Sequence, residues 1–190
     1  MHRIFLAGSF AMLLLLAGCQ MAPAPAMPEQ DVNQLTHWQA HGRFAYKSAN
    51  DGGSATVRWQ QQDHKGHLRF SGPMGLGSAE LDWEPGAAEL TSSKGTINAP
   101  SAEILAYELT GLLLPADALL YWLRGLPWPQ GPAQLTKDDA GRLTQLTQLD
   151  WQISFDRWQQ VQGYWLPHRL KAKHNEDSFT LVIQQWNPAP

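Results

Sequence analysis

The chain has 190 residues, enough for one ordinary domain, and its 43% apolar content supports a sizeable core and argues against disorder throughout. A net charge of −3 with only 16% charged residues leaves no basic field for nucleic acid, and a single cysteine excludes an internal disulfide and zinc sites built on two or four cysteines. With 16 glycines, 13 prolines and nine tryptophans, the composition fits one turn-rich, aromatic-heavy β domain.

In chain order, residues 1–18 come first and read as a signal peptide. Arg3 precedes an apolar stretch from Ile4 to Ala17 that is short of the roughly 20 residues a membrane span needs. The stretch ends in Leu16-Ala17-Gly18-Cys19, which resembles the bacterial lipobox, and Cys19 is the only cysteine. Its thiol is the expected lipidation site, and several acyl chains on one residue satisfy the rule that stable anchoring takes more than one. In known lipoproteins Asp after the cysteine tends to mean retention in the inner membrane. Gln20 implies the periplasmic face of the outer membrane by the same resemblance. Residues 20–30, QMAPAPAMPEQ, form a Pro/Ala tether, so the expected division is 1–18 signal, 19–36 lipidated N-terminus and tether, and 37–190 a β domain.

From Trp38 onward apolar and polar residues alternate, the mark of strands with one buried face. Phe44 and Tyr46, Val57 and Trp59, Leu68 and Phe70, and Leu81 and Trp83 form the apolar sides of four runs. Turn signals separate these runs at Asn50-Asp51-Gly52-Gly53, Asp63 to Gly66, Gly72 to Gly77 and Pro85-Gly86. Ala102 to Leu109 breaks the pattern as a helix, with Ser101 as N-cap and Gly111 as stop. Pro115 opens a second helix, Ala116 to Arg124, closed by Gly125. Leu119, Leu120, Trp122 and Leu123 make it apolar over most of its surface; being too short to stand alone in water, it must cover something apolar.

Residues 133–149 read as two strands around Asp139-Ala140-Gly141, although Leu143, Leu146 and Leu149 are spaced by three. Alternation then returns with Trp151, Ile153 and Phe155, with Leu166, Leu170 and Ala172 sharing a face with His168 and His174, and with Phe179, Leu181 and Ile183. This is an antiparallel meander. Its apolar face carries too much ring area for a flat sheet under two short helices, so the sheet must curve around its own apolar face. A filled core and a lined cavity use the same residue types, and both readings stand at this point.

Catalytic signatures are missing. There is no G-x-S-x-G elbow, and Gly75-Leu76-Gly77-Ser78-Ala79-Glu80 lacks the third glycine and the strand–helix setting of a dinucleotide loop. The pairs His37/His41 and His64/His67 lack further nearby ligands. No metal, cofactor or enzymatic activity is expected.

The lipobox, the tether, Trp38-x3-Gly42-Arg43-Phe44-Ala45-Tyr46, Trp59-Gln60-Gln61 and Leu68-Arg69-Phe70-Ser71-Gly72-Pro73-Met74-Gly75 follow one another in a telling order. With Leu112-Leu113-Leu114-Pro115, Tyr121-Trp122-Leu123-Arg124-Gly125-Leu126-Pro127 and Trp186, that order resembles the LolB family of outer-membrane lipoprotein receptors over nearly all the mature chain. The resemblance implies an unclosed β-barrel of about eleven strands whose helices form a lid over a hydrophobic cavity. It further implies a monomer that takes lipoproteins from a soluble LolA-like periplasmic carrier and inserts them into the outer membrane. Under that reading Phe44, Tyr46, Val57, Trp59, Leu68, Phe70, Leu81, Trp83, Trp151, Ile153, Phe155, Leu181 and Ile183 line the acyl-chain cavity, and Leu119, Leu120, Trp122 and Leu123 form the lid. The family's protruding apolar loop residue falls on Met74 when matched from the left and on Leu76 when matched from the right. Two other classes fit the same barrel: a lipocalin-like lipoprotein holding a small apolar ligand, and a structural envelope lipoprotein with a filled core.

Overall fold

The computed structural model describes residues 27–72 and 77–189; Cys19, Met74 and Leu76, singled out by the sequence, lie outside the described residues. Six antiparallel strands come first: β1 (His37–Lys47), β2 (Gly52–Gln62), β3 (Lys65–Ser71), β4 (Ser78–Glu84), β5 (Ala87–Ser92) and β6 (Gly95–Ala99). Helices α1 (Ala102–Thr110) and α2 (Ala116–Leu123) follow. Five strands complete the chain: β7 (Gln134–Lys137), β8 (Leu143–Gln148), β9 (Trp151–Val161), β10 (Tyr164–His174) and β11 (Asp177–Ala189).

All eleven strands form one sheet in the order β6-β5-β4-β3-β2-β1-β11-β10-β9-β8-β7. The first and last strands pair with each other, Phe44 opposite Leu181 and Trp38 opposite Pro188, so two meanders fuse into one curved wall. The wall does not close, because β6 and β7 remain free edges, and the segment carrying α1 and α2 bridges them in sequence. A mainly β, unclosed antiparallel barrel with two helices is thus the fold.

The alternation read from the sequence is the alternation of burial. Along β2, Val57, Trp59 and Gln61 are buried while Arg58, Gln60 and Gln62 face solvent. The inward rings pack in sequence around the wall: Trp186 against Trp38 (5.2 Å), Trp38 against Trp59 (5.5 Å) and Trp59 edge-on to Trp83 (5.6 Å). Such tilted and edge-on pairs are the favoured geometry for aromatic neighbours.

Several local expectations need correction. Strands β5 and β6 did not stand out in the sequence, since AAELTS and GTINA carry few of the branched or aromatic residues that mark strands. Ser101 makes no side-chain capping bond to α1, although Gly111 does end that helix in the left-handed conformation (φ 68°) that glycine takes without penalty. The two strands expected over 133–149 are, by contrast, present as β7 and β8, and the spacing of three at Leu143 and Leu146 falls within β8. A register shift at Thr136/Lys137 lets both side chains point inward, and Leu149 falls in the turn after β8, half exposed.

Candidate functional site

Between the helices and the wall lies an apolar cavity of about 520 Å³. That volume is within the roughly 300–1,000 Å³ of pockets that hold small ligands. Its wall is built by inward side chains of β1 to β4 and β11: Phe44, Val57, Trp59, Leu68, Phe70, Leu81, Trp83, Phe179 and Leu181. Its roof comes from both helices and the segment behind them: Ala102, Ala106 and Thr110 of α1, Ala118, Leu119 and Leu120 of α2, and Trp128. Polar groups gather at the rim, where His64, Glu84, Glu103 and Asp117 are all exposed. Apolar walls with charge confined to the mouth suit a chain-like apolar guest whose head stays in water.

The space exists because α1 shows the wall small residues. Ala102, Ala106 and Thr110 recur every four positions, which sets them on one helix face, while Leu105, beside that row and not lining the cavity, is completely buried. That spacing of small residues is visible in the sequence, but only the placement of α1 over the wall makes it a cavity lining.

Thirteen residues were expected to line the cavity. The structure brings Phe44, Val57, Trp59, Leu68, Phe70, Leu81, Trp83 and Leu181 around it, and leaves Tyr46, Trp151, Ile153, Phe155 and Ile183 away from it. Tyr46 sits half-buried towards the β1–β2 turn, its hydroxyl donating to Asp51 Oδ2 (3.3 Å). Partial burial and the Asp51 carboxylate raise its pKa above the ordinary phenol value. Trp151 and Ile153 are buried against other side chains, Trp151 meeting Trp122 at 6.4 Å and Phe179 at 5.5 Å.

The expected lid residues divide in the same way. Leu119 and Leu120 face the cavity, whereas Trp122 and Leu123 are wholly buried away from it. The Trp122 indole donates to Gln148 Oε1 (3.0 Å), and the Trp128 amide donates to the same oxygen (2.9 Å). Gln148 Nε2 in turn donates to the Trp128 carbonyl (2.8 Å), so one buried amide fixes α2 and the segment after it to β8.

Among the described residues, two ionisable side chains are buried outside the cavity, Arg124 and His168. Arg124 Nη1 donates to the Leu35 carbonyl (2.7 Å) and Nε to the Leu120 carbonyl (3.1 Å), and burial lowers its pKa. His168 Nδ1 lies 3.0 Å from the Ile183 carbonyl, which requires the Nδ1–H tautomer and leaves Nε2 buried without a partner. Desolvation lowers its pKa as well. The exposed pairs His67–Asp82 (2.7 Å) and His37–Asp63 (3.5 Å) have no third ligand, and no cluster of three metal-binding side chains occurs among the described residues.

The sequence model of the outer membrane lipoprotein LolB family matches residues 36–186, the whole of the sheet with its helices up to the last residues of β11. The chain belongs to the LolB family. Among curated relatives it is 38% identical to the outer-membrane lipoprotein LolB of Pseudomonas aeruginosa (strain LESB58), over 98% of this chain and 96% of the relative. It is also 38% identical to that of Ectopseudomonas mendocina (strain ymp), covering 94% of each. Among solved structures, a LolA superfamily protein from Nitrosomonas europaea shares the fold with TM-score 0.54 at 8% identity, over 83% of this chain and 88% of that one. A DUF1329 family protein from Desulfovibrio piger matches to the same TM-score at 6% identity, over 83% and 87%. Membership of the LolB family places the chain in outer-membrane lipoprotein localisation. No helix among the described residues is long and apolar enough to cross a membrane.

Proposed function

We propose that this protein is a receptor anchored through Cys19 to the periplasmic face of the outer membrane, which accepts lipoproteins from a LolA-like carrier, shields their acyl chains and inserts them into the bilayer. The observation that carries the reading is the apolar cavity of about 520 Å³ under α1 and the front of α2. Each acyl CH₂ exposed to water costs about 0.8 kcal/mol, so a chain of about fifteen carbons costs on the order of 12 kcal/mol. Unshielded passage through water is therefore negligible. Transfer runs downhill through differential affinity, with the carrier binding more weakly than the receptor and the receptor more weakly than the bilayer.

The apolar loop between β3 and β4 serves the last step. Met74, Leu76 or both enter the bilayer when cargo leaves, and burying either side chain contributes roughly 1.5–3 kcal/mol. Gln30 is tied to the β9–β10 turn through Gly163, at the end of the barrel opposite to that loop. Fully extended, the chain from Cys19 to Gln30 reaches about 36–40 Å, which matches the length of about 36 Å for β1. Anchor and loop can thus meet the same membrane.

A transfer assay with carrier-loaded lipoprotein tests the reading. The wild-type chain strips the carrier and delivers cargo to outer-membrane vesicles, and Cys19→Ala behind a cleavable secretory signal still accepts cargo as a soluble protein. Replacing Met74 and Leu76 together with Glu leaves acceptance near normal and stops insertion, so loaded receptor accumulates. Normal insertion by that double variant removes the loop's role. A protein that copurifies with a small apolar ligand and never takes cargo from the carrier is a lipocalin-like binder instead.

A further inference from the structure

We propose that the two helices over the cavity do different work: α2 is its fixed side, α1 is the side that acyl chains displace, and Gln148 and Arg124 are the positioning residues that hold α2. The inference rests on the acyl-chain reading of the cavity and adds which wall gives way.

The attachments of the two helices differ in kind. The rear of α2 is held by directional bonds between buried groups. Gln148 joins the Trp122 indole and both backbone groups of Trp128, with distances of 2.8 to 3.0 Å. Arg124 joins α2 to the segment before β1 through the Leu35 carbonyl, and it meets no carboxylate among the described residues. The Trp158 ring also lies across Gly125, where a Cβ would come within 2.1 Å of it. Lifting this end would orphan a buried indole N–H, an amide and a guanidinium, and each orphan costs its full desolvation penalty.

Helix α1 has no such tie. Among the described residues no α1 side chain makes a hydrogen bond to the sheet; Thr110 Oγ1 donates to Ala106 of its own helix (2.7 Å) and accepts from the Leu112 amide (3.1 Å). Its hold on the wall is apolar, through Leu105 and the partly buried Leu109. Apolar contacts are non-directional, and an incoming acyl chain replaces them almost in kind. The strand leading into α1 is β6, a free edge paired to β5 alone, so part of the wall beneath α1 is itself held from one side only.

The single cysteine makes a distance measurement direct. In the full chain carrying Cys19→Ala behind a cleavable secretory signal, spin labels are placed at Tyr107→Cys on α1 or Asp117→Cys on α2, each paired with Lys171→Cys on the outer face of β10. Electron–electron distances are recorded with and without palmitate, whose binding is followed separately by displacement of a fluorescent fatty acid. On loading, the α1–β10 distance widens by about 5 Å, the size of a one-turn helix displacement, and the α2–β10 distance holds to within about 2 Å, the size of a small helix shift. In the Gln148→Leu variant the α2 distance shifts on loading as well; if that variant fails to fold, Trp122→Phe, which removes the indole N–H with part of the ring volume and keeps an aromatic ring, makes the same comparison. Equal or larger movement of α2 in the parent, or no movement of either helix in protein that binds palmitate, overturns the division of labour. A protein that binds no palmitate at all takes down the acyl-chain reading, and this inference with it.

Discussion

The two halves of the barrel are made from the same residue types and end in opposite states. Around β1 to β4, the inward face of Phe44, Val57, Trp59, Phe70 and Trp83 stands over empty space. Around β8 to β10, the inward face of Leu146, Trp151, Ile153, Phe155, Leu166 and Leu170 is filled. What differs is which side chains the helices set against each. Helix α1 offers Ala102, Ala106 and Thr110 to the first half, whereas α2 drives Trp122 and Leu123 into the second. Hollowness here is decided by the partner surface and not by the wall. That explains how a barrel with a void can stay folded: the filled half supplies the stability that the hollow half forgoes.

The largest effect that would break this comparison is at Trp122. Trp122→Ala removes a fully buried ring and leaves Gln148 short of a donor, so urea unfolding should show a loss of about 3–5 kcal/mol. Phe70→Ala on the cavity wall, where the ring is only partly buried, should cost about half as much or less. Similar losses at both sites would mean that the halves are packed alike.

Next is Gln148→Leu, which keeps the side chain's bulk and removes its polar hub. The Trp122 and Trp128 donors lose their partner, and stability should fall by about 2–3 kcal/mol in the same measurement. Cavity binding of an apolar dye should persist in the folded fraction.

Adding volume sharpens the contrast. Ala106→Phe inserts a ring into the void, so binding of a fluorescent fatty acid should drop at least about tenfold while the melting temperature holds or rises. Ala172→Phe puts the same ring into the filled half and should destabilise by about 1–3 kcal/mol, read from the denaturant midpoint. If Ala106→Phe destabilises as much as Ala172→Phe, the cavity is not available space.

The smallest effect belongs to His168, in the filled half. Its folded-state pKa is lowered by burial, so the unfolded chain takes up a proton that the folded chain resists. Its contribution is therefore at full strength above the unfolded value of about 6.5 and is lost progressively as pH falls below it. Denaturant midpoints at pH 7.5 and 5.5 should differ more for the parent than for His168→Leu. An identical pH dependence in the two would show that the ring is solvated.

Much of this molecule is written locally. The period-two alternation from Trp38 to Ile183 marks strands because each buries one face only, and the structure keeps Phe44, Trp59, Leu68 and Leu81 inside as that pattern requires. The stop at Gly111 and the hairpin tip near Gly141 are equally local, since each depends on a backbone conformation that one residue type adopts easily. The pair β5–β6 was harder to see, because its Ala, Thr and Glu residues are ordered by their neighbours in the sheet and not by their own propensity.

The site was only half legible for a different reason. An inward Trp59 and an inward Trp151 look the same along the chain, as do Leu119 and Trp122 on one short helix. The sequence by itself determined the strands other than β5 and β6, the two helices, the apolar face and the family to which they belong. Only the tertiary structure decided that α1 lies with its alanines over one wall and α2 with its tryptophan in the other. Pairing β1 with β11 brings together residues more than a hundred positions apart, and whether a face becomes core or cavity depends on the shape set against it across that distance.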